Sequence, residues 1–467
     1  MLFSSVTFLF AFLPLLIAIY FIVPAKARNT VLLVMSVIFY AWGEPIYLFL
    51  MFFSIASAWI SGLFIDKYRG TKKSKIFMIV SVCVSVGLLM LFKYSDFFIE
   101  NINNIFKSNI ALLKLALPIG ISFYTFQILS YTIDLYRGDV KLQKNPFDFA
   151  MYVIFFPQLI AGPIVRYATV EKDISDRKVT LEDFSVGVRR FIIGLSKKIL
   201  LANVLGELCE IYKGLETPTV LFTWLYIAAY TLHIYFDFSG YSDMAIGLGR
   251  MFGFRFLENF NYPYISKSVT EFWRRWHISL STIFRDYVYI PLGGNRVSKP
   301  RWLFNIFVVW FLTGFWHGAD WNFIVWGLWY GVLLVAEKLF LGKLLSKLPS
   351  FFSWLWAIFA TIIGWMFFDA PSLGTALVRI GNLFGVGGLP ATSTATNYYF
   401  GSYALVIIIA AIGATPLPKK AVERIKKNGA AEKAMVVIEP LFAGVLLILA
   451  CAYLIDGSFN PFIYFRF

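Results

Sequence analysis

The chain has 467 residues, of which 59% are hydrophobic and 15% are charged, and its mean hydropathy is +0.71. This composition excludes an ordinary soluble globular protein and indicates an integral membrane protein. We attribute the formal net charge of +15 mostly to membrane topology and to attraction to anionic lipids of the bilayer, and we expect no nucleic-acid partner.

Apolar runs of nearly membrane-spanning length recur along the chain, and crossing a bilayer takes roughly 20 residues. The clearest runs are residues 7–23, 46–65, 76–92, 218–236, 303–316, 320–336, 351–368, 402–413 and 435–454. The shorter or broken runs, which are candidates for re-entrant segments, are 30–42, 110–133 and 148–165. We predict an all-α integral membrane protein with about eleven transmembrane helices plus re-entrant and interfacial helices.

The loops between the first spans alternate in basic charge. Residues 24–29 and 66–75 are rich in Lys and Arg, whereas 1–6 and 43–45 contain neither. Because Lys and Arg near span ends are retained on the cytoplasmic side, this pattern predicts an N-terminus outside the cell. No soluble second domain or internal repeat is evident, so residues 1–467 are predicted to form a single polytopic membrane domain.

One histidine lies in the middle of a long apolar stretch, "VVWFLTGFWHGADWNFIVWGLWYG" (308–331). The polar residues near His317 in sequence are Thr313, Asp320 and Asn322. Ionisable groups at membrane depth are costly to bury and indicate function by default, although a lone histidine in a soluble core is more often a packing residue. Loss of water disfavours the imidazolium ion, so we expect His317 to be a neutral proton acceptor, as a general base must be.

A second histidine, His277, lies in "SKSVTEFWRRWHISLSTIFRDYVYIPLGGN" (266–295). Ser268 and Glu271 have capping-box spacing, which predicts a helix beginning near residue 269. On one continuous helix, aromatic and polar side chains of this segment fall on opposite faces, so we expect an amphipathic helix along the interface or beside a polar cavity. The pattern alone leaves open whether His277 is an interfacial anchor or a site residue.

Polar residues also interrupt the apolar segment "TLHIYFDFSGYSDMAIGLG" (231–249). His233 precedes Asp237 by one helical turn, so its simplest interpretation is an imidazole hydrogen-bonded to that neighbour. A polar cluster follows, whose side chains either hydrogen-bond between helices or contact a substrate. The cluster comprises Asp237, Ser239, Tyr241 and Asp243.

Six motifs in chain order resemble those of the membrane-bound O-acyltransferases, and most strongly those of the alginate O-acetyltransferase branch. They are "LPIGISFYTFQILSYTIDLYRG" (117–138), "FFPQLIAGPIVRY" (155–167), "YFDFSGYSDMAIG" (235–247), "EFWRRWHISLST" (271–282), "RDYVYIPLGGNR" (285–296) and "FWHG" (315–318). The resemblance covers nearly the whole chain, down to "NPFIYFRF" (460–467).

The resemblance implies a fold in which a ring of tilted spans surrounds a thinned centre, in a bacterial inner membrane. The family core corresponds to roughly 110–370, with peripheral N-terminal spans at 7–92 and C-terminal spans at 402–455. In such relatives, an outer funnel and a cytoplasmic tunnel meet near an essential histidine. His317 matches that histidine, and His277 matches its second histidine or polar partner.

The resemblance also implies a reaction. An acyl thioester on the cytoplasmic side, either acetyl-CoA or an acyl-carrier thioester, donates acetyl to a hydroxyl of an extracytoplasmic polysaccharide or to an SGNH-type acetyltransferase partner. No bound cofactor and no metal are expected. His317 takes the hydroxyl proton and His277 orients the thioester or the hydroxyl. Further candidates for substrate binding are Asp237, Ser239, Tyr241, Asp243, Arg274, Ser281, Trp316 and Asn322.

Three other functions stay open on the sequence. The first is D-alanyl transfer to teichoic acid from a carrier-protein thioester. The second, from a different class, is a polytopic transporter in which His317 and Asp237 relay protons, since broken spans and intramembrane charges also occur in transporters. The third is a non-catalytic scaffold, which requires His317 to be dispensable.

Overall fold

Every regular element that the computed structural model of the protein describes, over residues 1–427 and 429–457, is a helix. The segment "NPFIYFRF" (460–467) lies outside these residues. The α-helices are α1 (Leu13–Ile22), α2 (Arg28–Ala41), α3 (Tyr47–Lys67), α4 (Lys72–Phe106), α5 (Ile121–Arg137), α6 (Pro146–Ile154), α7 (Phe156–Leu159), α8 (Tyr167–Ser175), α9 (Leu181–Ser196), α10 (Val204–Lys213), α11 (Val220–Met251), α12 (Val269–Arg275), α13 (Ile278–Phe284), α14 (Lys299–His317), α15 (Trp321–Ala336), α16 (Gly342–Leu345), α17 (Ser350–Asp369), α18 (Leu373–Leu383), α19 (Thr394–Gly413), α20 (Leu417–Lys426) and α21 (Gly429–Ile455). Segments of π-helix are Phe8–Phe12, Lys197–Asn203, Arg285–Tyr289 and Glu337–Leu341, and short 3₁₀ turns are Ala25–Ala27 and Pro263–Ile265.

The predicted number of about eleven spans is not confirmed. Within the described residues, six helices are long and apolar enough to cross a bilayer: Tyr47–Lys67, Lys72–Phe106, Trp321–Leu345, Ser350–Asp369, Thr394–Gly413 and Ala431–Ile455. The predicted runs 218–236 and 303–316 are helical, within α11 and α14. Tyr and polar side chains in α11, and Trp and polar side chains in α14, lower the mean hydropathy of these helices. The chain is thus a multi-pass membrane protein with fewer clear spans than the sequence suggested.

The run at 148–165 is interrupted, as its Pro and Gly residues predicted. Helix α6 ends at Ile154, α7 covers only Phe156–Leu159, and no helix is present from 160 to 166. Non-helical backbone at membrane depth is tolerated only where protein or water covers its polar groups. Tyr152 supplies one such cover here, because its hydroxyl donates to the carbonyl of Val165 over 3.0 Å.

The chain forms two compact units. Unit 1 comprises Met1–Phe191 and Ser242–Leu257, and unit 2 comprises Ile192–Tyr241 and Glu258–Phe467, described as far as residue 457. In unit 1, the rings of Phe8, Phe12, Phe39 and Phe156 pack together with centroids 5.3 to 6.1 Å apart. Such rings bury large apolar areas, which stabilises the N-terminal helices against α7.

Unit 2 contains an antiparallel pair of helices, α14 and α15, whose backbones approach closely at two glycines. A Cβ atom at Gly314 would lie 2.3 Å from the carbonyl oxygen of Phe323. One at Gly327 would lie 2.3 Å from the carbonyl oxygen of Trp310. Only glycine permits this approach, as is common at helix contacts within membranes. The contact fixes the last turn of α14, where His317 lies.

We expect Gly314→Ala to lower the free energy of unfolding by about 1–3 kcal/mol, because the new methyl meets backbone and not a movable side chain. The measurement is thermal unfolding of the purified protein in detergent. Gly401→Ala is the matched control, since a Cβ there meets no atom within 4 Å. Equal melting temperatures for the two variants would contradict the packing described.

The predicted amphipathic helix begins where its capping box indicated but does not continue as one helix. Helix α12 starts at Val269, with the Ser268 hydroxyl accepting from the Glu271 amide over 2.9 Å, so the predicted start is confirmed. The helix then ends at Arg275, and a new one, α13, starts at Ile278. The residue between them, His277, has φ 44° and ψ 54°, in the left-handed region. The continuous face drawn from the sequence is therefore wrong beyond Trp276.

Candidate active site

The two histidines that the sequence singled out are neighbours in unit 2. The ring centroids of His277 and His317 lie 6.5 Å apart. His277 is 0% exposed and His317 is 4% exposed. His317 is the last residue of α14, and His277 occupies the break between α12 and α13. Forty residues of sequence separate them, so the fold alone brings the rings together.

Aromatic rings enclose His317. Trp326 of α15 and Phe368 of α17 both meet its ring edge to face, with centroids at 4.9 and 5.2 Å. Trp316, one of the predicted site residues, lies 4.9 Å from His317 and 6.2 Å from His277. Three helices thus supply the walls, and their low polarity strengthens any electrostatic interaction formed inside.

His277 is held by hydrogen bonds instead. Its Nδ1 lies 3.2 Å from Oδ1 of Asn259, which also accepts from the amide and the hydroxyl of Ser279, over 3.1 and 2.8 Å. The Ile278 amide donates to the carbonyl of Asn259 over 3.0 Å. Asn259 therefore caps α13 from outside the helix and fixes the imidazole ring. Burial lowers the pKa of His277 to about 3, so this ring is neutral at physiological pH.

Very little of either histidine is exposed. His317 is 4% exposed and packed against three aromatic rings, and His277 is fully buried.

A cavity of about 540 Å³ lies within unit 2, a size typical of sites for small ligands. Its walls combine aromatic rings with basic side chains and include Trp273, Trp310, Phe284, Arg274, Arg285 and Lys338. Arg274 and Ser281, both predicted site residues, line it, whereas neither histidine does. Trp273 links it to the site, because this ring packs 5.6 Å from Trp326, which contacts His317.

One acid lining the cavity is already engaged. The Glu337 carboxylate accepts from the amides of Val269 and Thr270 over 2.6 and 2.9 Å, and from the Thr270 hydroxyl over 2.8 Å. An acid at a helix N-terminus complements the helix dipole. Glu337 thus caps α12, and of the basic side chains in the wall Arg285 is paired with Asp286 over 2.6 Å.

His233 and Asp237 are not hydrogen-bonded to each other. Nδ1 of His233 lies 2.7 Å from the carbonyl oxygen of Ala202, so the sequence-based pairing with Asp237 is wrong. Asp237 forms an ion pair with Lys198 at 2.5 Å, with side-chain exposures of 1% and 2%. The π-helical segment Lys197–Asn203 supplies both Lys198 and Ala202. This polar cluster therefore joins two segments of unit 2.

The remaining members of that cluster separate. Ser239 and Tyr241 are buried in unit 2, at 3% exposure each. Asp243 belongs to unit 1, where its carboxylate accepts from Arg190 over 2.8 Å. The ion pair of Asp243 with Arg190 joins α11 to α9, which is the first of the two roles considered for this cluster.

The polar residues flanking His317 are occupied elsewhere. Thr313 donates to the carbonyl of Val309 over 2.7 Å, and Asp320 caps α15 by accepting from the Trp321 amide over 2.6 Å. Asn322, a predicted substrate-binding residue, donates to the carbonyls of Phe367 and Ala370 over 3.2 and 2.8 Å. Asn322 thus ties α15 to the end of α17 that carries Phe368.

Sequence reasoning missed the residues that shape the pair of histidines. Asn259, Trp326 and Phe368 had no polar pattern or motif that marked them. The abundance of aromatic residues, 19% of the chain, was the one available signal, and it is not specific to any position. Among the described residues, no group of three His, Cys, Asp or Glu side chains is arranged to hold a metal ion.

Comparison with known proteins agrees with these observations. The family model of the membrane-bound O-acyltransferases (MBOAT) matches residues 143–370, which include both histidines. The probable alginate O-acetylase AlgI of Pseudomonas putida is 39% identical over 100% of both chains.

Two further relatives differ in their described activities. The peptidoglycan O-acetyltransferase of Helicobacter pylori is 36% identical over 83% of this chain and 81% of its own. The teichoic acid D-alanyltransferase of Bacillus subtilis is 32% identical over 50% of this chain and 62% of its own. With buried neighbouring histidines in a multi-pass helical protein, and a relative 39% identical along the full length of both chains, the chain belongs to the membrane-bound O-acyltransferase family and is an acyltransferase.

Proposed function

We propose that this protein transfers an acetyl group from a cytoplasmic thioester, through the bilayer, to a hydroxyl of an extracytoplasmic polysaccharide or to an SGNH-type partner transferase. The observation that carries the proposal is the pair of buried imidazoles, His277 and His317, with ring centroids 6.5 Å apart. The N-terminus lies outside the cell in this proposal, which agrees with the basic loops at 24–29 and 66–75.

His317 acts as the general base. The acceptor oxygen attacks the thioester carbonyl carbon while His317 takes the hydroxyl proton, and the carbon–sulfur bond then breaks as the proton passes to the departing sulfur. The new ester and a free thiol are the products. His277 orients the hydroxyl or the thioester, and no metal or bound cofactor takes part in these steps.

Charge develops on the carbonyl oxygen during attack, and a hydrogen-bond donor must stabilise it. Trp326 is suited to this task. Its ring is 1% exposed and contacts His317, and its indole N–H makes no hydrogen bond to any described residue. Removing one such donor typically lowers kcat by about 10²- to 10³-fold.

The cavity beside Trp273 is the proposed binding site for the donor. Its aromatic walls suit an apolar chain, and Arg274 and Lys338 suit the phosphate groups that thioester donors of the CoA and carrier type carry. From this cavity the acetyl group reaches His317 past Trp273 and Trp326, whose rings are in contact. The proposal therefore requires one of these two indoles to move during each cycle.

Ser281→Trp should raise KM for acetyl-CoA at least about tenfold, because the large ring occupies the cavity that receives the donor. The expected effect on KM for the acceptor is small. Ser402→Trp serves as the control, since Ser402 is exposed in α19. An unchanged KM for acetyl-CoA in a folded Ser281→Trp protein would show that the cavity does not bind the donor.

Acetyl transfer is favoured over D-alanyl transfer by the extent of similarity. The relatives named as O-acetylases or O-acetyltransferases match 83% to 100% of this chain, whereas the D-alanyltransferase of Bacillus subtilis matches 50%. D-alanyl transfer from a carrier-protein thioester is the second candidate on that ground.

The test uses purified protein with an acetylated oligosaccharide as the expected product. Acetyl-CoA is supplied with alginate or peptidoglycan fragments, and release of free thiol is followed together with the mass of the glycan. Acceptor-dependent thiol release with a matching mass gain is the expected result. Activity only with a D-alanyl carrier thioester would select the second candidate. Movement of a labelled solute across vesicles with no thioester consumed would indicate a transporter instead.

A further inference from the structure

Three hydrogen bonds converge on one oxygen next to His277. Oδ1 of Asn259 accepts from the backbone amide and the hydroxyl of Ser279, and it lies 3.2 Å from Nδ1 of His277. A backbone amide is always a donor, so the Asn259 atom that it meets is an oxygen and not the amide nitrogen. The Ser279 hydroxyl also lies 3.5 Å from Nδ1, but it gives its hydrogen to Oδ1 of Asn259 over the shorter distance of 2.8 Å. Both oxygens near Nδ1 therefore accept, and Nδ1 carries the ring hydrogen.

The other ring nitrogen of His277 then carries a lone pair. Nε2 lies on the side of the ring away from Asn259, is buried, and makes no hydrogen bond to any described residue. The rings in contact with His277 belong to Phe238, Trp316 and His317, and His317 is the only titratable group among them. The ring is therefore a pure hydrogen-bond acceptor toward the site.

The backbone at His277 supports a held orientation. Its left-handed conformation, φ 44°, is uncommon for a residue other than glycine, and such strain persists where the surroundings impose it. Asn259 imposes it here, because its carbonyl accepts from the Ile278 amide and its side chain caps α13 at Ser279. One asparagine thus sets the position, the rotation and the protonated nitrogen of this histidine.

We propose that Asn259 is a positioning residue that locks His277 in the Nδ1–H tautomer, so that Nε2 accepts a hydrogen bond from a hydroxyl of the acceptor. A thioester carbonyl has no hydrogen to offer Nε2, so of the two roles open to His277 this geometry selects the hydroxyl. The attacking hydroxyl gives its own hydrogen to His317, and a sugar carries several hydroxyls, so His277 binds a second one. The hydroxyl assignment rests on the proposed acetyl transfer, whereas the tautomer does not.

The tautomer is measured by NMR of the full-length protein with isotope-labelled histidine, in lipid nanodiscs. The chain has 3 histidines, so His277→Gln identifies the signals of His277. Wild type is expected to show Nδ1 protonated and Nε2 unprotonated between about pH 5 and 8. Asn259→Leu is expected to lose that preference. An Nε2–H tautomer in wild type, or no change in Asn259→Leu, would overturn the proposal.

Enzyme kinetics tests whether His277 binds a hydroxyl of the acceptor. Asn259→Leu should lower kcat/KM for the oligosaccharide acceptor about tenfold and leave KM for acetyl-CoA unchanged. Asn259→Asp keeps an acceptor for Nδ1–H but its charge stabilises the imidazolium of His277, so activity is rescued at high pH and falls on an acidic limb at higher pH than any limb of wild type. The same pH profile for Asn259→Asp and wild type would contradict the positioning role.

Asn305→Leu is the matched control. Asn305 is also fully buried in unit 2, and its side chain donates to the carbonyls of Leu292 and Gly294 over 3.2 and 3.1 Å, with no contact to His277. It should change neither the tautomer nor the pH profile. If wild type shows the Nδ1–H tautomer but transfers no acetyl group to any acceptor, the proposed function fails and the tautomer stands.

Discussion

His317→Ala is expected to lower kcat for acetyl transfer by about 10²- to 10⁴-fold, the usual contribution of a positioned general base. The remaining rate comes from substrate positioning and oxyanion stabilisation, which this substitution leaves in place. His317→Gln is measured beside it, because alanine leaves a void among Trp316, Trp326 and Phe368. The expected loss is similar in both variants.

The control is a histidine away from the pair. His233 contacts the carbonyl oxygen of Ala202, and the amide of glutamine can donate to the same oxygen. His233→Gln should therefore retain activity close to that of wild type. If His233→Gln and His317→Gln lost activity equally while both stayed folded, His317 would have no special role as the base.

The second large effect concerns stability. Lys198→Met is expected to lower the free energy of unfolding by about 3–5 kcal/mol, because it removes the cation from a carboxylate that is 1% exposed. Thermal unfolding in detergent measures it. The exposed pair Lys419–Glu423 is the control, with side chains 67% and 59% exposed, and Lys419→Met should change stability little.

The double variant Lys198→Met/Asp237→Leu separates the two roles considered for Asp237. Replacing both partners of a buried ion pair by apolar groups is often neutral, so stability should largely return. Activity should return with it if Asp237 only joins segments of unit 2. A stable double variant without activity would instead assign Asp237 to substrate binding.

The sequence predicted those features that depend on local pattern. The capping box at Ser268 and Glu271 gave the start of α12, because a cap needs only residues three apart. His317 was predictable as a site residue because ionisable groups are rare within apolar membrane segments, whatever the fold. The family motifs then identified the pair of histidines.

Features that depend on distant contacts were not predictable. The break at His277 is stabilised by Asn259, which lies in a different segment of the chain, so the local pattern still indicated a continuous helix. The predicted pairing of His233 with Asp237 was wrong for the same reason, since the ion-pair partner of Asp237, Lys198, lies on another segment. The predicted count of about eleven spans is not confirmed, because the aromatic and polar side chains of helices such as α11 lower their mean hydropathy.

Transfer across the bilayer is tested most directly in sealed vesicles that contain the protein in one known orientation. Acetyl-CoA is placed only on the face that carries the loop 66–75, and oligosaccharide only on the other. The account predicts acetylated oligosaccharide on the face without donor, free thiol on the donor face, and at least about 10²-fold slower formation of both products with His317→Ala. In a second experiment acceptor is supplied on both faces. Acetylated oligosaccharide found only on the face that holds the donor would then contradict the account.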